Sequence, residues 1–388
     1  MTDPRTIAVL TTGRQDWGIL RSTAEAIRAH PDLRLWLLVG GMHLSARHGT
    51  TLDHVRADGF EPDAHIDWLP ADADPPADVQ AASALAAIGG ALRAVPPDAL
   101  VVAGDRFETA AAALAATVNV VPLVHLHGGE QTFGAFDDAL RNAITKLAHL
   151  HLVSHEEHAA RVIAMGEDPA SVHVVGVPGL DALARTDLPG RDELATDLGM
   201  LLDSPLVVVT VHPTTLGTDP AAAARAVVGA MDLVPATYVV TLPNADPGAA
   251  EVRRLLTAAV AGRARRGGRI AVEALGSRGY MGLLQIADAV LGNSSSSIVE
   301  APALDLPAVN VGERQAGRHR EGNVIDVDET AADVADALRR ALDPAFRAGI
   351  ATRHPVLLDG RAGVRIAAII AGWHPSRPPR KAPIRLRP

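Results

Sequence analysis

Residues able to do chemistry stand just after apolar runs in this chain of 388 residues. Asp105 and Arg106 follow Ala99–Ala103, and Glu130 follows Asn119–His127. His212 follows Leu206–Val211, while Asn244 and Asp246 follow Thr237–Leu242. Ser294, Ser295, Ser296 and Ser297 follow Ala289–Gly292, and Thr11-Thr12-Gly13-Arg14 closes the first run. Neighbouring carboxylates push their pKa values apart and so divide acid and base roles. Small residues at a helix start let backbone N–H groups reach a phosphate, and hydroxyls add donors. Arg14 suits a diphosphate bidentately, and Glu300 suits the hydroxyls of a ribose. The chemistry implied is proton transfer beside a bound phosphate.

Each feature has a plainer reading. The serines also fit a helix N-cap, and Arg14 and Glu300 also fit a solvated surface. Asp137 and Asp138 fit the first turn of a helix, with Arg141 four residues after Asp137 as an ion-pair partner. His125 with His127, and His149 with His151, share a strand face, but a third ligand at a metal-site spacing is missing, so no metal is expected. There is no GxGxxG after the first run and no Walker lysine motif. What separates the functional reading from the plain one is placement. In open parallel sheets ligands bind beyond the carboxyl ends of strands, where Asp105, Arg106, Glu130, His212, Asn244, Asp246 and the serines stand.

The elements that must position them alternate. Short β-like runs (Ile7–Thr12, Leu33–Val39, Ala99–Ala103, Asn119–His127, His149–Ser154, Val172–Val175) are separated by helical stretches such as Ile19–Arg28. A polar stretch, Leu183–Ser204, interrupts the pattern, which then restarts with Leu206–Val211 and continues to Ala308–Val311. This is the signature of an α/β protein with parallel sheets and helices on both faces. Two Rossmann-like, doubly wound domains are expected, at 1–182 and 183–374, the last helix packing back. A disordered Pro/Arg-rich tail is expected at 375–388.

Composition narrows the class. The chain carries 36 Lys+Arg against 45 Asp+Glu, a formal charge of −9, which argues against general nucleic-acid binding. With no cysteine, disulfides and thiolate chemistry are excluded. No apolar stretch approaches a membrane span, and the start lacks the features of a signal peptide, so a cytoplasmic protein is expected.

The segments Thr12-Gly13-Arg14-Gln15-Asp16-Trp17-Gly18, Gly104-Asp105-Arg106-Phe107-Glu108 and His127-Gly128-Gly129-Glu130 resemble the UDP-N-acetylglucosamine 2-epimerases, especially their hydrolysing branch. Asp137-Asp138-Ala139-Leu140-Arg141, Pro243-Asn244-Ala245-Asp246, Gly292-Asn293-Ser294-Ser295-Ser296 and Gly312-Glu313-Arg314-Gln315-Ala316-Gly317-Arg318 extend the likeness over roughly residues 6–345. The resemblance implies a GT-B architecture with its active site in an inter-domain cleft. It also implies a UDP-amino sugar as substrate, anti elimination of UDP after loss of the C2 proton, hydration of the resulting glucal, no cofactor, and a homodimer. It implies catalytic roles for Asp105, Glu130, Asp137 and His212, with Glu130 or Asp137 at the C2 proton. Arg14, Arg141, Asn244, Ser294, Ser295, Ser296, Glu300 and Arg314 are the implied substrate-binding residues, with Arg318 closing beside Arg314.

Two departures stand out. Asn142 occupies the place where hydrolysing members usually have His, and Asn is neither acid nor base. Ser297 replaces a common Gly. A non-hydrolysing epimerase, an enzyme for another UDP-amino sugar, a GT-B glycosyltransferase and a noncatalytic nucleotide-sugar-binding paralogue are the competing readings.

Overall fold

The computed structural model describes residues 3–46, 51–70, 75–133, 136–184, 188–214, 219–243, 246–261, 268–318, 320–350 and 359–381. The chain forms two compact units. The first holds Met1–Glu130, Asp137–Ala184 and Pro355–Pro388; the second holds Gln131–Phe136 and Arg185–His354.

The sheet of the first unit uses β1 (Arg5–Thr11), β2 (Leu33–Gly40), β3 (Ala64–Ile66), β4 (Ala99–Ala103), β5 (Leu123–Leu126), β6 (Leu150–Val153) and β7 (Val172–Val174). Their order is β3-β2-β1-β4-β5-β6-β7, all parallel. The second sheet uses β8 (Leu206–Thr210), β9 (Thr237–Thr241), β10 (Arg269–Val272), β11 (Ala289–Gly292), β12 (Ala308–Val311) and β13 (Val324–Val327). Its order is β10-β9-β8-β11-β12-β13, again parallel. Central strands buried on both faces read as unbroken apolar runs, as in Leu206–Thr210, where every residue is buried.

Strand order reverses direction at β1/β4 in the first sheet and at β8/β11 in the second. These switch points are where open sheets leave a crevice at their carboxyl ends. The chain places Thr12-Gly13-Arg14 and Gly104-Asp105-Arg106 at the first, and His212 and Asn293-Ser294-Ser295-Ser296 at the second.

Two sequence expectations are corrected. The strand expected over Asn119–His127 is only Leu123–Leu126. The helix Phe107–Val118 runs up to Asn119, whose side-chain amide donates to the Ala115 carbonyl (2.8 Å), and His127 leaves the sheet with a left-handed φ of 63°. The strands β3, β10 and β13 were not anticipated. All three are sheet edges of three or four residues with mostly half-buried side chains, so they lack an apolar run.

The chain returns at its end. The helix Ala362–Gly372 packs on the helix Arg14–Ala29, and a Cβ at Gly363 would stand 2.4 Å from the Ser22 carbonyl. Asp181 accepts from the first two N–H groups of this final helix (3.0 and 2.8 Å), and Arg5 donates to the carbonyls of Ile370 and Trp373 at its other end (2.6 and 2.7 Å). Residues 375–381, expected to be disordered, are irregular but pinned. Arg377 pairs with Asp98, and Lys381 donates to the Lys146 carbonyl (2.7 Å) and pairs with Glu167 (2.6 Å). The physical reason is Glu167, whose side chain is 1% exposed and must be matched by donors. It also takes Lys146 (2.5 Å) and His151 (3.1 Å). The rest of the expected tail, 382–388, lies outside the described residues.

Burial opposes ionisation of Glu167, but the hydrogen bonds from His151, Lys146 and Lys381 outweigh it and hold its pKa at about 2. A folded-state pKa below the unfolded one contributes stability above the unfolded value and loses it as pH falls. Glu167→Gln is therefore expected to cost on the order of 3 kcal/mol at pH 7, with the gap to wild type closing between about pH 4.5 and pH 2. Denaturant melts across that range check it; a pH-independent gap would count against the charge as its source.

Candidate active site

In the first unit one buried cation organises the loops. Arg141 lies on the inward face of the helix Asp137–Leu147, together with Ile144 and Thr145, and is 1% exposed. Its guanidinium pairs with the Asp105 carboxylate after β4, donates to the Glu130 carbonyl after β5 (2.9 Å), and reaches Asp138 in its own helix (3.5 Å). A planar fork spreads its donors over separate nitrogens and so reaches acceptors from three segments at once, whereas the three donors of a lysine radiate from a single atom. The helix itself is set by sequence: Asp137 and Asp138 occupy its first turn and Lys146 its last, matching the dipole at each end. So the plain reading of the two aspartates as first-turn residues holds, and Asp138 also belongs to the cluster. Asn142 donates to Asp138 from the following turn (3.4 Å).

The turn His127-Gly128-Gly129-Glu130 is tightly specified. Gly129 has φ 78°, and a Cβ there would stand 2.3 Å from the His158 carbonyl, so only glycine fits. Glu130 Oε1 meets His127 Nδ1 at 2.6 Å and accepts from the Ser154 hydroxyl at 3.3 Å. Ser154 in turn meets His158 Nδ1 (2.9 Å), whose pKa burial drives down to about 4. His125, one strand position inside, is a structural residue. Its Nε2–H donates to the Gly104 carbonyl (2.8 Å) and its Nδ1 faces the Thr145 hydroxyl (3.2 Å); burial takes its pKa to about 3, so it stays neutral. Among the described residues no group of three or more His, Asp or Glu is arranged to hold a metal.

At the first switch point Asp16 is buried and serves the turn. Its carboxylate accepts from the N–H groups of Thr12 (2.7 Å) and Gly13 (2.9 Å) and from the Thr12 hydroxyl (2.9 Å). That fixes the backbone from which Arg14, half-buried, opens the helix Arg14–Ala29.

In the second unit the organiser is an amide. Asn293, fully buried after β11, accepts from the His212 N–H (2.8 Å) and donates to the His212 carbonyl (2.9 Å). Its own carbonyl accepts from Gln315 (2.9 Å) and Arg314 (3.2 Å). Gly292 precedes it with φ 140°, and a Cβ there would stand 2.0 Å from the Thr210 carbonyl, so the two strands approach closely at this point. His212 is 8% exposed, with Asp246 Oδ2 3.9 Å from its Nδ1. Ser294, Ser295 and Ser296 lead into the short helix Ser296–Val299, and Glu300 ends it, half-buried. The extra hydroxyl of Ser297 is spent internally on the Ser294 carbonyl (2.7 Å).

Of the expected residues, Arg141 meets Asp105 and the Glu130 carbonyl in the first unit, where Arg14 and Asp137 each open a helix, and His212 and Arg314 meet through Asn293 in the second, where Ser294, Ser295, Ser296 and Glu300 follow β11. Asn244 lies outside the described residues. Ser154, Asn293 and Gln315 were not on the expected list of site residues. Only Asn293 had a sequence signal, as a buried polar residue directly after a strand.

Two doubly wound parallel units give the GT-B architecture, and solved structures agree at the level of fold. UDP-GlcNAc 2-epimerase from Neisseria meningitidis bound to UDP-GlcNAc superposes with a TM-score of 0.80 at 15% identity, covering 95% of this chain and 100% of that one. MurG of Acinetobacter baumannii is more distant, at 0.52 and 13%, covering 95% and 100%. The chain belongs to the UDP-N-acetylglucosamine 2-epimerase family, whose sequence model matches residues 25–371. Among its relatives, the hydrolysing UDP-N,N'-diacetylbacillosamine 2-epimerase of Legionella pneumophila is 34% identical over 87% of this chain and 89% of its own. The hydrolysing GDP/UDP-N,N'-diacetylbacillosamine 2-epimerase of Campylobacter jejuni is 33% identical over 83% and 84%.

Two substitutions test the organisers. Arg141→Lys keeps the charge but not the fork, so it is expected to fold with a loss of about 1 kcal/mol while turnover falls roughly a hundredfold. Asn293→Ala leaves the His212 backbone unpaired in the interior, at a cost of about 2 kcal/mol. Thermal melts with turnover assays separate the two effects; wild-type turnover in Arg141→Lys would refute the first.

Proposed function

We propose that the protein is a hydrolysing 2-epimerase of a UDP-linked 2-acetamido sugar. UDP-N-acetylglucosamine and water give UDP and N-acetylmannosamine in the reference case. The observation that carries the reading is the Arg141 cluster, which gathers the Asp105 carboxylate and the Glu130 loop where family membership calls for acid–base groups.

In this reading the cluster of Asp105, Glu130 and Asp137, together with the side chains it holds, handles the proton transfers at C2. The C2–H electron pair becomes the C1=C2 double bond as the C1–O bond breaks and UDP departs with its electrons. Arg14, Arg314, His212 and the hydroxyls of Ser294, Ser295 and Ser296 support the diphosphate, and Glu300 receives the ribose; Arg141 acts on substrate through the carboxylates it holds. Preorganised donors aimed at a leaving diphosphate are the largest expected source of rate. Water then adds to the glucal, its oxygen to C1 and a proton to C2 on the face opposite to the one deprotonated. Elimination and hydration need only proton transfer and leaving-group support, so the proposal invokes no cofactor.

A diamino sugar is the second reading, favoured by the names of the Legionella and Campylobacter relatives. A cytoplasmic homodimer belongs to the same proposal, on the family resemblance; among the described residues no helix is long and apolar enough to cross a membrane.

Proton NMR in D2O with UDP-N-acetylglucosamine and, separately, UDP-N,N'-diacetylbacillosamine decides. The expected products are UDP and a free 2-epimer carrying deuterium at C2. A product still linked to UDP would make the enzyme non-hydrolysing, and tight binding of both sugars with no turnover would make it a binding protein.

A further inference from the structure

Two marks of function meet on one residue outside the set above, and neither falls on Glu130. His127 holds a left-handed φ of 63°, a conformation uncommon outside glycine, although His, with Asn and Asp, adopts it more readily than other side chains. Its side chain is 10% exposed, and its Nε2 is buried with no hydrogen-bond partner among the described residues. A buried imidazole nitrogen left unpaired is costly, and native structures keep such groups where chemistry uses them. The other nitrogen, Nδ1, is held by Glu130 Oε1 at 2.6 Å, and that same oxygen is fixed by the Ser154 hydroxyl.

This arrangement has a direction. A carboxylate on Nδ1 holds the ring in the tautomer with its proton on Nδ1, which leaves the lone pair on Nε2. It also stabilises the imidazolium that forms when Nε2 takes a proton. Glu130, already receiving two donors on one oxygen, is placed as the orienter. His151 makes a similar pair with Glu167 and also leaves its other nitrogen, Nδ1, without a partner among the described residues, but it lies fully buried within β6 and its carboxylate is neutralised by Lys146 and Lys381.

We propose that His127 is the base that removes the C2 proton, through Nε2, with Glu130 as its orienting carboxylate. The inference rests on the epimerase reading. The C2–H bond breaks, the proton goes to Nε2, and the released pair forms C1=C2 as UDP leaves.

Two variants tolerate the left-handed backbone, which keeps folding out of the comparison. Asn at position 127 retains a donor toward Glu130 and offers no base; Gly retains neither. With wild type first shown to turn over its sugar in D2O, His127→Asn and His127→Gly are both expected to lose roughly 10²–10⁴-fold in kcat, with KM and UDP affinity little changed. Added imidazole is expected to restore part of the C2 exchange in His127→Gly and none in His127→Asn. Near-wild-type exchange in His127→Asn would overturn the inference, since a residue that only donates to Glu130 is replaced well by Asn. Absence of turnover in wild type with either sugar would instead sink the epimerase reading itself.

Discussion

The first unit depends on a guanidinium taken out of water. Desolvating a charge costs several kcal/mol unless nearby acceptors replace the lost hydration. Arg141, at 1% exposure, draws those acceptors from the loop after β4, the loop after β5 and its own helix. The requirement therefore acts on geometry. Any arrangement of those three segments that moves Asp105 or the Glu130 carbonyl by an ångström leaves a buried charge underpaired. Catalytic groups need such tolerance, and here the penalty for burying a cation enforces it.

The second unit solves the same problem without charge. Asn293 exchanges two hydrogen bonds with the backbone of His212 and takes two more from Gln315 and Arg314 on its carbonyl. A neutral amide suits a site proposed to receive a diphosphate, because it adds no negative field beside the ligand and does not compete for it. The contrast follows the chemistry. In the proposed reaction the carboxylate side is held by a cation, while the donors to the diphosphate are held by an amide.

The sequence made the central strands and their ends readable for one reason. A parallel strand buried on both faces must be apolar throughout, so a charge can appear only where it ends. Asp105, His212 and the serines stood out against that background. The edge strands β3, β10 and β13 did not, because an edge is half-buried and its residues obey no such constraint. The tail was misread from the opposite side: its Pro/Arg composition signals solvation, but Lys381 answers a buried carboxylate more than two hundred residues earlier, and no local pattern encodes that. His127 was hidden similarly. In sequence it continues the spacing of a strand, and only the fold shows that it leaves the sheet with a left-handed backbone and turns a nitrogen onto Glu130.

The two departures from the family pattern bear on whether the chemistry survives. A hydroxyl at Ser297 pointing at the phosphate would alter the ligand site; instead it bonds to the Ser294 carbonyl and tightens the turn that carries the serines. Asn142 cannot shuttle a proton, and its amide is turned back on Asp138, which Arg141 also grips. Asn142 therefore adds order to the cluster without adding acid–base capacity. The proposed proton transfers then fall to groups already in the cluster and to the imidazole on the neighbouring turn that Glu130 holds. The replacement at 142 and the left-handed histidine at 127 are thus consistent parts of the proposed arrangement, in which acid–base capacity sits on the turn after β5 and the helix that follows supplies the rigidity.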